Sequence, residues 1–133
     1  MYAGLKFIRY LCLYDSMSFS FISRPKDEKE LLMADIVRVL SLLLGRLWLT
    51  ELSAELESFR VSLERPSTFT DSELNEAIQA LRAINVVETQ EALRATYNRP
   101  EPDMLVGLVD FHSFMELLDS DDDVRRYRAL SRL

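Results

Sequence analysis

Cysteine, histidine and glycine are scarce in this chain, and each scarcity closes off a class of function. Among 133 residues there is one cysteine, Cys12, and one histidine, His112. A lone thiol has no intrachain disulfide partner and fits a reducing, intracellular (cytoplasmic) setting better than a secreted scaffold. The same two residues cannot assemble a Cys/His metal set, or a nucleophile with its base and orienting group. His112, flanked by Phe111 and Phe114, reads as packing. The three glycines, Gly4, Gly45 and Gly107, are isolated, so no phosphate-cradling loop or dinucleotide fingerprint is formed. The chain is expected to be no enzyme and to take no metal or cofactor.

Long apolar runs are lacking too. The most apolar stretch, "VLSLLLGRLWL" at 39–49, is broken by Gly45 and Arg46 and falls short of the roughly 20 residues that cross a bilayer. The N-terminal "MYAGLKFIRYLCLYDS" has neither a sustained apolar centre nor a small-residue cleavage site, so neither a membrane span nor a signal peptide is expected. Lysine is rare: three against thirteen arginines, with only five Asn and Gln together, a bias that leans towards a hot or GC-rich source.

What is present is an acidic chain of net charge −6 that is 48% hydrophobic, about one domain long and able to bury a core unaided. From Pro25, "KDEKELLMADIVRVLSLLLGRL" places Leu32, Ile36, Val39, Leu40, Leu43 and Leu47 at helical spacing behind an acidic first turn, with Gly45 marking the end. Leu42 and Leu44 lie off that stripe, as in a helix packed centrally. A very short strand follows, then a helix capped by Thr50 that buries Leu52, Leu56 and Phe59. Residues 60–69, with alternating Val61 and Leu63 before Pro66, read as a loop with a strand fragment. In "TFTDSELNEAIQALRAINVVET", Thr70 caps and Glu73 takes the capping-box position. Leu74, Ala77, Ile78, Leu81 and Ile84 then form a buried stripe. A β-leaning run from Val86 to Tyr97, the turn "NRPEPD" and the returning "MLVGLVDF" make a hairpin. "FHSFMELL" is a short helix and "SDDDVRRYRALSRL" another, capped by Ser120, with acids first and arginines last to match the helix dipole. The run "DSDDD" at 119–123 fails a calcium loop because Val124 stands at the turn glycine and Leu130 at the bidentate glutamate. Near the N-terminus, "SMSFSFIS" alternates like a half-buried strand with Met17, Phe19 and Phe21 on one face, while Leu5, Ile8, Leu11 and Cys12 could line a helix.

The order helix, short strand, helix, helix, hairpin, carried by "ADIVRVLSLLLGRLWLTELSAELES", "TDSELNEAIQALRAINVVET" and the hairpin, resembles the winged helix-turn-helix superfamily over roughly residues 27–111. The fold class implied is mainly α with a small β-hairpin. An aromatic-rich N-terminal extension (1–23), a winged-helix domain (24–118) and a C-terminal helix (119–133) divide the chain. One departure is the connection of about ten residues between the second and third helices, where the compact motif uses about 3–4.

In DNA-binding members of that superfamily the third helix enters the major groove. Here its polar face carries Ser72, Asn75, Gln79 and Arg82, with Arg94 and Arg99 on the hairpin; Asn, Gln and Arg can pair with base edges. Affinity, however, comes from clustered cations on phosphates. From 60 to 99 there are five arginines (Arg60, Arg65, Arg82, Arg94, Arg99) against six acids (Glu64, Asp71, Glu73, Glu76, Glu88, Glu91). DNA is thus disfavoured by charge. The aromatic surplus points elsewhere. Phe7, Tyr10, Tyr14, Phe19 and Phe21 at one end, and Tyr127 and Leu130 at the other, either wrap back onto the domain or meet a partner. The expected function is a non-catalytic interaction module, dimeric or within an intracellular transcription or chromosome-associated assembly. The alternative is a sequence-specific DNA-binding regulator.

Overall fold

The computed structural model describes residues 19–131. The partner-binding candidates Phe7, Tyr10 and Tyr14, and Met17 of the alternating run, lie outside the described residues. The elements are α1 (Ser20–Ser23), α2 (Glu28–Leu42), β1 (Arg46–Trp48), α3 (Leu49–Ser62), α4 (Asp71–Ala83), β2 (Val87–Arg94), β3 (Glu101–Leu108), α5 (Phe111–Leu117) and α6 (Asp122–Ser131), with a 3-10 turn, Leu118–Ser120, before α6. The fold is mainly helical with a small antiparallel sheet of order β1-β3-β2.

The central helix is α2. Asp27 caps it by accepting from the Glu30 N–H at 2.9 Å, and every residue from Leu32 to Ser41 is buried. Burial on all sides explains why its apolar residues spill beyond one stripe. It ends in two left-handed residues, Leu44 (φ 68) and Gly45 (φ 87). Gly45 is required twice over: its φ favours glycine, and the Phe111 ring lies 2.6 Å from where a Cβ would sit. The turn delivers the chain into β1, whose Leu47 pairs with Val106 of β3. The three-residue β1 therefore extends the expected hairpin to three strands.

The hairpin turn shifts to residues 95–100, because Glu101, Pro102 and Asp103 pair with Arg94, Leu93 and Ala92, and four other expected boundaries move. Thr50 is not a cap: α3 starts at Leu49, Glu51 accepts from the Trp48 N–H at 3.4 Å, and the Thr50 hydroxyl instead donates to Asp103 at 2.7 Å. Arg60 to Ser62 continue α3, because Arg60 has buried partners that hold that last turn inside. Ile84 is not in the buried stripe; α4 ends at Ala83, Asn85 turns the chain at φ 60, and Ile84 is left 45% exposed. Ser120 gives way to Asp121, whose carboxylate accepts from the Val124 N–H at 3.0 Å. The capping box of α4 is formed as read, with Glu73 N–H to Thr70 Oγ1 at 3.0 Å and Thr70 N–H to Glu73 Oε1 at 2.9 Å. Its Leu74, Ala77, Ile78 and Leu81 are buried.

Residues 20–23 are helical, not extended. With no strand beside them among the described residues, their backbone groups are satisfied locally, Ile22 N–H to Phe19 O at 3.1 Å and Arg24 N–H to Ser20 O at 2.7 Å. Phe21 and Ile22 enter the main core, and Phe19 packs edge-on against Phe114 with centroids 5.4 Å apart. Val124 of α6 joins the same core, and Tyr127 lies 5.1 Å from Phe59. Residues on both sides of positions 23/24 and 118/119 thus contribute to one core among the described residues. Phe19, Phe21 and Tyr127, read as partner-binding, are taken up wholly or partly by the chain's own packing, while Leu130 remains exposed. His112 is exposed; its ring lies 5.5 Å from that of Phe111, but it falls off the inner face that Phe111 and Phe114 share at i, i+3.

Candidate functional site

Helix α4 and the β2–β3 hairpin hold the residues expected to contact nucleic acid. Ser72, Asn75, Gln79 and Arg82 are all exposed on α4, as its buried stripe dictates. The Gln79 side-chain oxygen accepts from Arg82 Nη1 at 3.4 Å. Arg99 sits in the hairpin turn, where the Thr96 hydroxyl donates to its carbonyl. Large apolar side chains stand beside it: Leu93 is 67% exposed and Tyr97 fully so.

Arg94 is differently placed. Its Nε donates to Asp103 at 3.0 Å across the hairpin, so its charge is spent within the sheet. The Asp103 carboxylate is also held by the Thr50 hydroxyl and by the Met104 N–H at 2.7 Å. Burial pushes its pKa up, but those hydrogen bonds and the Arg94 charge outweigh burial and hold it below the ordinary 3.8. A carboxylate depressed in the folded state adds stability above its unfolded value and loses it as pH falls through the folded one. The stability gap between the parent and Asp103→Asn should therefore be flat from neutral pH to about 5, and close progressively below about pH 4. Urea titrations at several pH values check this, and a gap unchanged at pH 3 would refute it.

Of the arginines counted towards a nucleic-acid face, Arg60 is inside the protein and Arg65 is partly buried beside it. Arg60 is 1% exposed; its Nε donates to Asp35 at 2.9 Å and its Nη1 to Glu28 at 2.7 Å. Its remaining Nη2 has no hydrogen-bond partner among the described residues, and the guanidinium carbon lies 5.8 Å from the Phe69 ring centroid, within reach of the ring's negative face. Arg65, in the loop between α3 and α4, donates to Asp35 at 3.0 Å and lies 3.3 Å from Asp123. Arg38 completes the cluster, donating to Asp35 at 2.9 Å, Asp121 at 3.1 Å and the Ile22 carbonyl at 2.8 Å. Burial opposes its charge, yet Asp121 and Asp35 raise its pKa further. Asp35, wholly buried, thus accepts from three arginines on three segments, and the cluster ties α1, α2, α3, the long loop and the start of α6 together. Its carboxylates are all engaged by cations, which makes it a clamp and not an acid–base site.

Sequence reasoning missed this clamp, although a signal was present. Asp35 and Arg38 are two charges at i, i+3 inside an otherwise apolar helix, and Arg60 abuts the buried Leu52, Leu56 and Phe59 stripe. The clamp also explains the long α3–α4 connection, which must carry Arg65 and Phe69 back to Asp35 and Arg60. The acidic run contributes Asp121 and Asp123 to it as well as a cap. Among the described residues no helix is long and apolar enough to cross a membrane, and no group of three His, Cys, Asp or Glu side chains converges as a metal site would require.

Comparison of the chain with protein-family models, with curated proteins and with solved structures gives no match.

Proposed function

We propose that this chain is an intracellular winged helix-turn-helix module that binds protein, as a dimer or within a transcription or chromosome-associated assembly, and does not act as a catalyst. The order α2, β1, α3, α4, β2, β3 and the β1-β3-β2 sheet support the fold reading. One observation carries the choice of protein over DNA. Of the five arginines between 60 and 99, Arg60, Arg65 and Arg94 are committed to internal carboxylates. That leaves Arg82 and Arg99 against Glu64, Asp71, Glu73, Glu76, Glu88 and Glu91 in the same stretch, a balance that repels a phosphate backbone. Exposed Leu93 and Tyr97 at the hairpin tip suit a protein contact instead.

The alternative of a sequence-specific DNA regulator keeps Ser72, Asn75, Gln79 and Arg82 as base-reading candidates, with Arg99 and the Asp103-bound Arg94 on the wing. Titration of random and genomic duplex at about 150 mM salt separates the two. The expected result is weak binding with a shallow salt slope, because few phosphates are neutralised. Submicromolar binding with a steep slope would overturn the protein-binding reading. In parallel, a Leu93→Ser/Tyr97→Ser variant should keep the parent's stability to within about 0.5 kcal/mol, as exposed sites do. It should also lose self-association in sedimentation or capture of its assembly.

A further inference from the structure

The two sides of the small sheet are finished differently. Two backbone hydrogen bonds fix which way the strands' amides point: Val109 N–H to Val86 O at 3.0 Å and Leu108 N–H to Gly45 O at 2.8 Å. In an antiparallel ladder that direction alternates residue by residue. With the registers Val87↔Leu108 and Arg46↔Gly107, Glu88, Gln90, Ala92 and Arg94 bond to β3, while the N–H and C=O of Val87, Thr89, Glu91 and Leu93 point away from it. The even-numbered residues of β3 point towards β1. There β1 stops at Trp48, opposite Leu105, and the length of β3 left beyond it is blunted. Pro102 has no N–H, and the Met104 N–H is taken by the Asp103 carboxylate at 2.7 Å. The outer edge of β2 has no such device. It runs for eight residues in unbroken register without proline, lysine or bulge. Among the described residues no strand pairs with it, and the N–H groups of Thr89, Glu91 and Leu93 have no partner. A long, regular, unpaired edge is a template for another strand.

We propose that the occupant is the same edge of a second copy, the two β2 strands pairing antiparallel about a two-fold axis at Gln90 so that two three-stranded sheets become one. This rests on the protein-binding reading and names its partner. The strand's midpoint lies between Gln90 and Glu91, so an axis at either pairs nearly its full length. Charge selects between them. An axis at Glu91 sets that carboxylate directly against its own copy, which is destabilising. At Gln90, Thr89 lies opposite Glu91, Glu88 opposite Ala92 and Val87 opposite Leu93, with no like charges facing. The outward amides at 87, 89, 91 and 93 then all meet one another. Leu93, 67% exposed in the single chain, gains Val87 of the second copy as its neighbour. A foreign strand would have to match this edge in length, charge order and direction; a second copy does so by symmetry.

In this register the two Gln90 residues form a non-hydrogen-bonded pair, whose Cα atoms lie about 4.5 Å apart, within reach of a disulfide. Cys12 is the sole cysteine, so the full chain carrying Cys12→Ser offers a thiol-free background. There Gln90→Cys should cross-link to a covalent dimer under mild oxidation more than about tenfold faster than the exposed control Gln79→Cys, because pairing raises the effective concentration of the two thiols. The parent should sediment at twice the chain mass. Glu91→Pro deletes an outward N–H and leaves the β2–β3 ladder whole, so it should return the protein to a single chain; if that variant fails to fold, the cross-linking rates decide. A monomeric parent, or equal rates at residues 90 and 79, overturns the proposal. So does slow amide exchange at Thr89, Glu91 and Leu93 in chains diluted to monomer, which would place another part of the same chain on the edge. In either case, loss of assembly capture by Leu93→Ser/Tyr97→Ser keeps the protein-binding reading with a foreign partner, whereas retained capture removes that reading as well.

Discussion

Asp35→Ala should cost about 3–5 kcal/mol, the largest loss expected from any single polar substitution here. The reason is what it leaves behind. Arg38 and Arg60 are 5% and 1% exposed and each loses a charge-assisted hydrogen bond of 2.9 Å, while Arg65 loses its contact at 3.0 Å. Arg38 keeps Asp121 and Arg60 keeps Glu28, but buried guanidinium groups that lose their shared central acceptor are left with donors unsatisfied, which costs more than having no ion pair at all. The clamp as a whole need not be a net source of stability, since desolvating its members offsets much of their attraction. Removing the shared acceptor alone is therefore the damaging change. Urea denaturation is the measurement, with a fall in melting midpoint of roughly ten degrees or more expected in parallel. A loss under about 1 kcal/mol would mean that water reaches the arginines, and that the clamp is not closed as described.

Phe21→Ala should remove about 3 kcal/mol, at the lower end of the range for a buried phenylalanine because α1 is short and can relax. Phe21 is 6% exposed in the shared core, its ring 6.4 Å from Phe19. The partner-binding alternative makes the opposite forecast, a lower sedimenting mass at unchanged stability. Equal mass with a lower urea midpoint is the expected pair of results. Phe19→Ala should cost less, since Phe19 is only partly buried against Phe114.

Both forecasts concern residues whose surroundings the linear pattern left open or passed over, for a shared reason. Phe19 and Phe21 alternate with serines, a period of two that fits a strand. Extended backbone needs a neighbouring strand to satisfy it, and a sequence read locally cannot say whether one is there. Arg60 and Arg65 count as surface charge in a composition argument because arginine is seldom buried. What draws them inwards is Asp35, 25 and 30 residues earlier in the chain, a pairing that neither periodicity nor capping rules can express. Thr50 and Ser120 failed as caps for a related reason. Thr50 has a better acceptor partner in Asp103, across the fold, and Asp121 combines the cap with its ion pair to Arg38.

The sequence by itself determined the elements whose causes are local. These are the acid-led and centrally apolar α2, the capping box and buried stripe of α4, the hairpin around "NRPEPD", and the separation of acids and arginines along α6. Backbone preference, capping and one-face hydrophobicity act over three or four residues, so the chain carries them openly. Tertiary structure alone decided that β1 joins β3 to make a third strand, and that α1 and α6 complete one core. It also decided that Arg38, Arg60, Arg65 and Arg94 spend their charge inwards, which sets the electrostatics of the outer face. A charge acts on whatever lies within a few ångströms of it, and only the folded chain determines which residues those are.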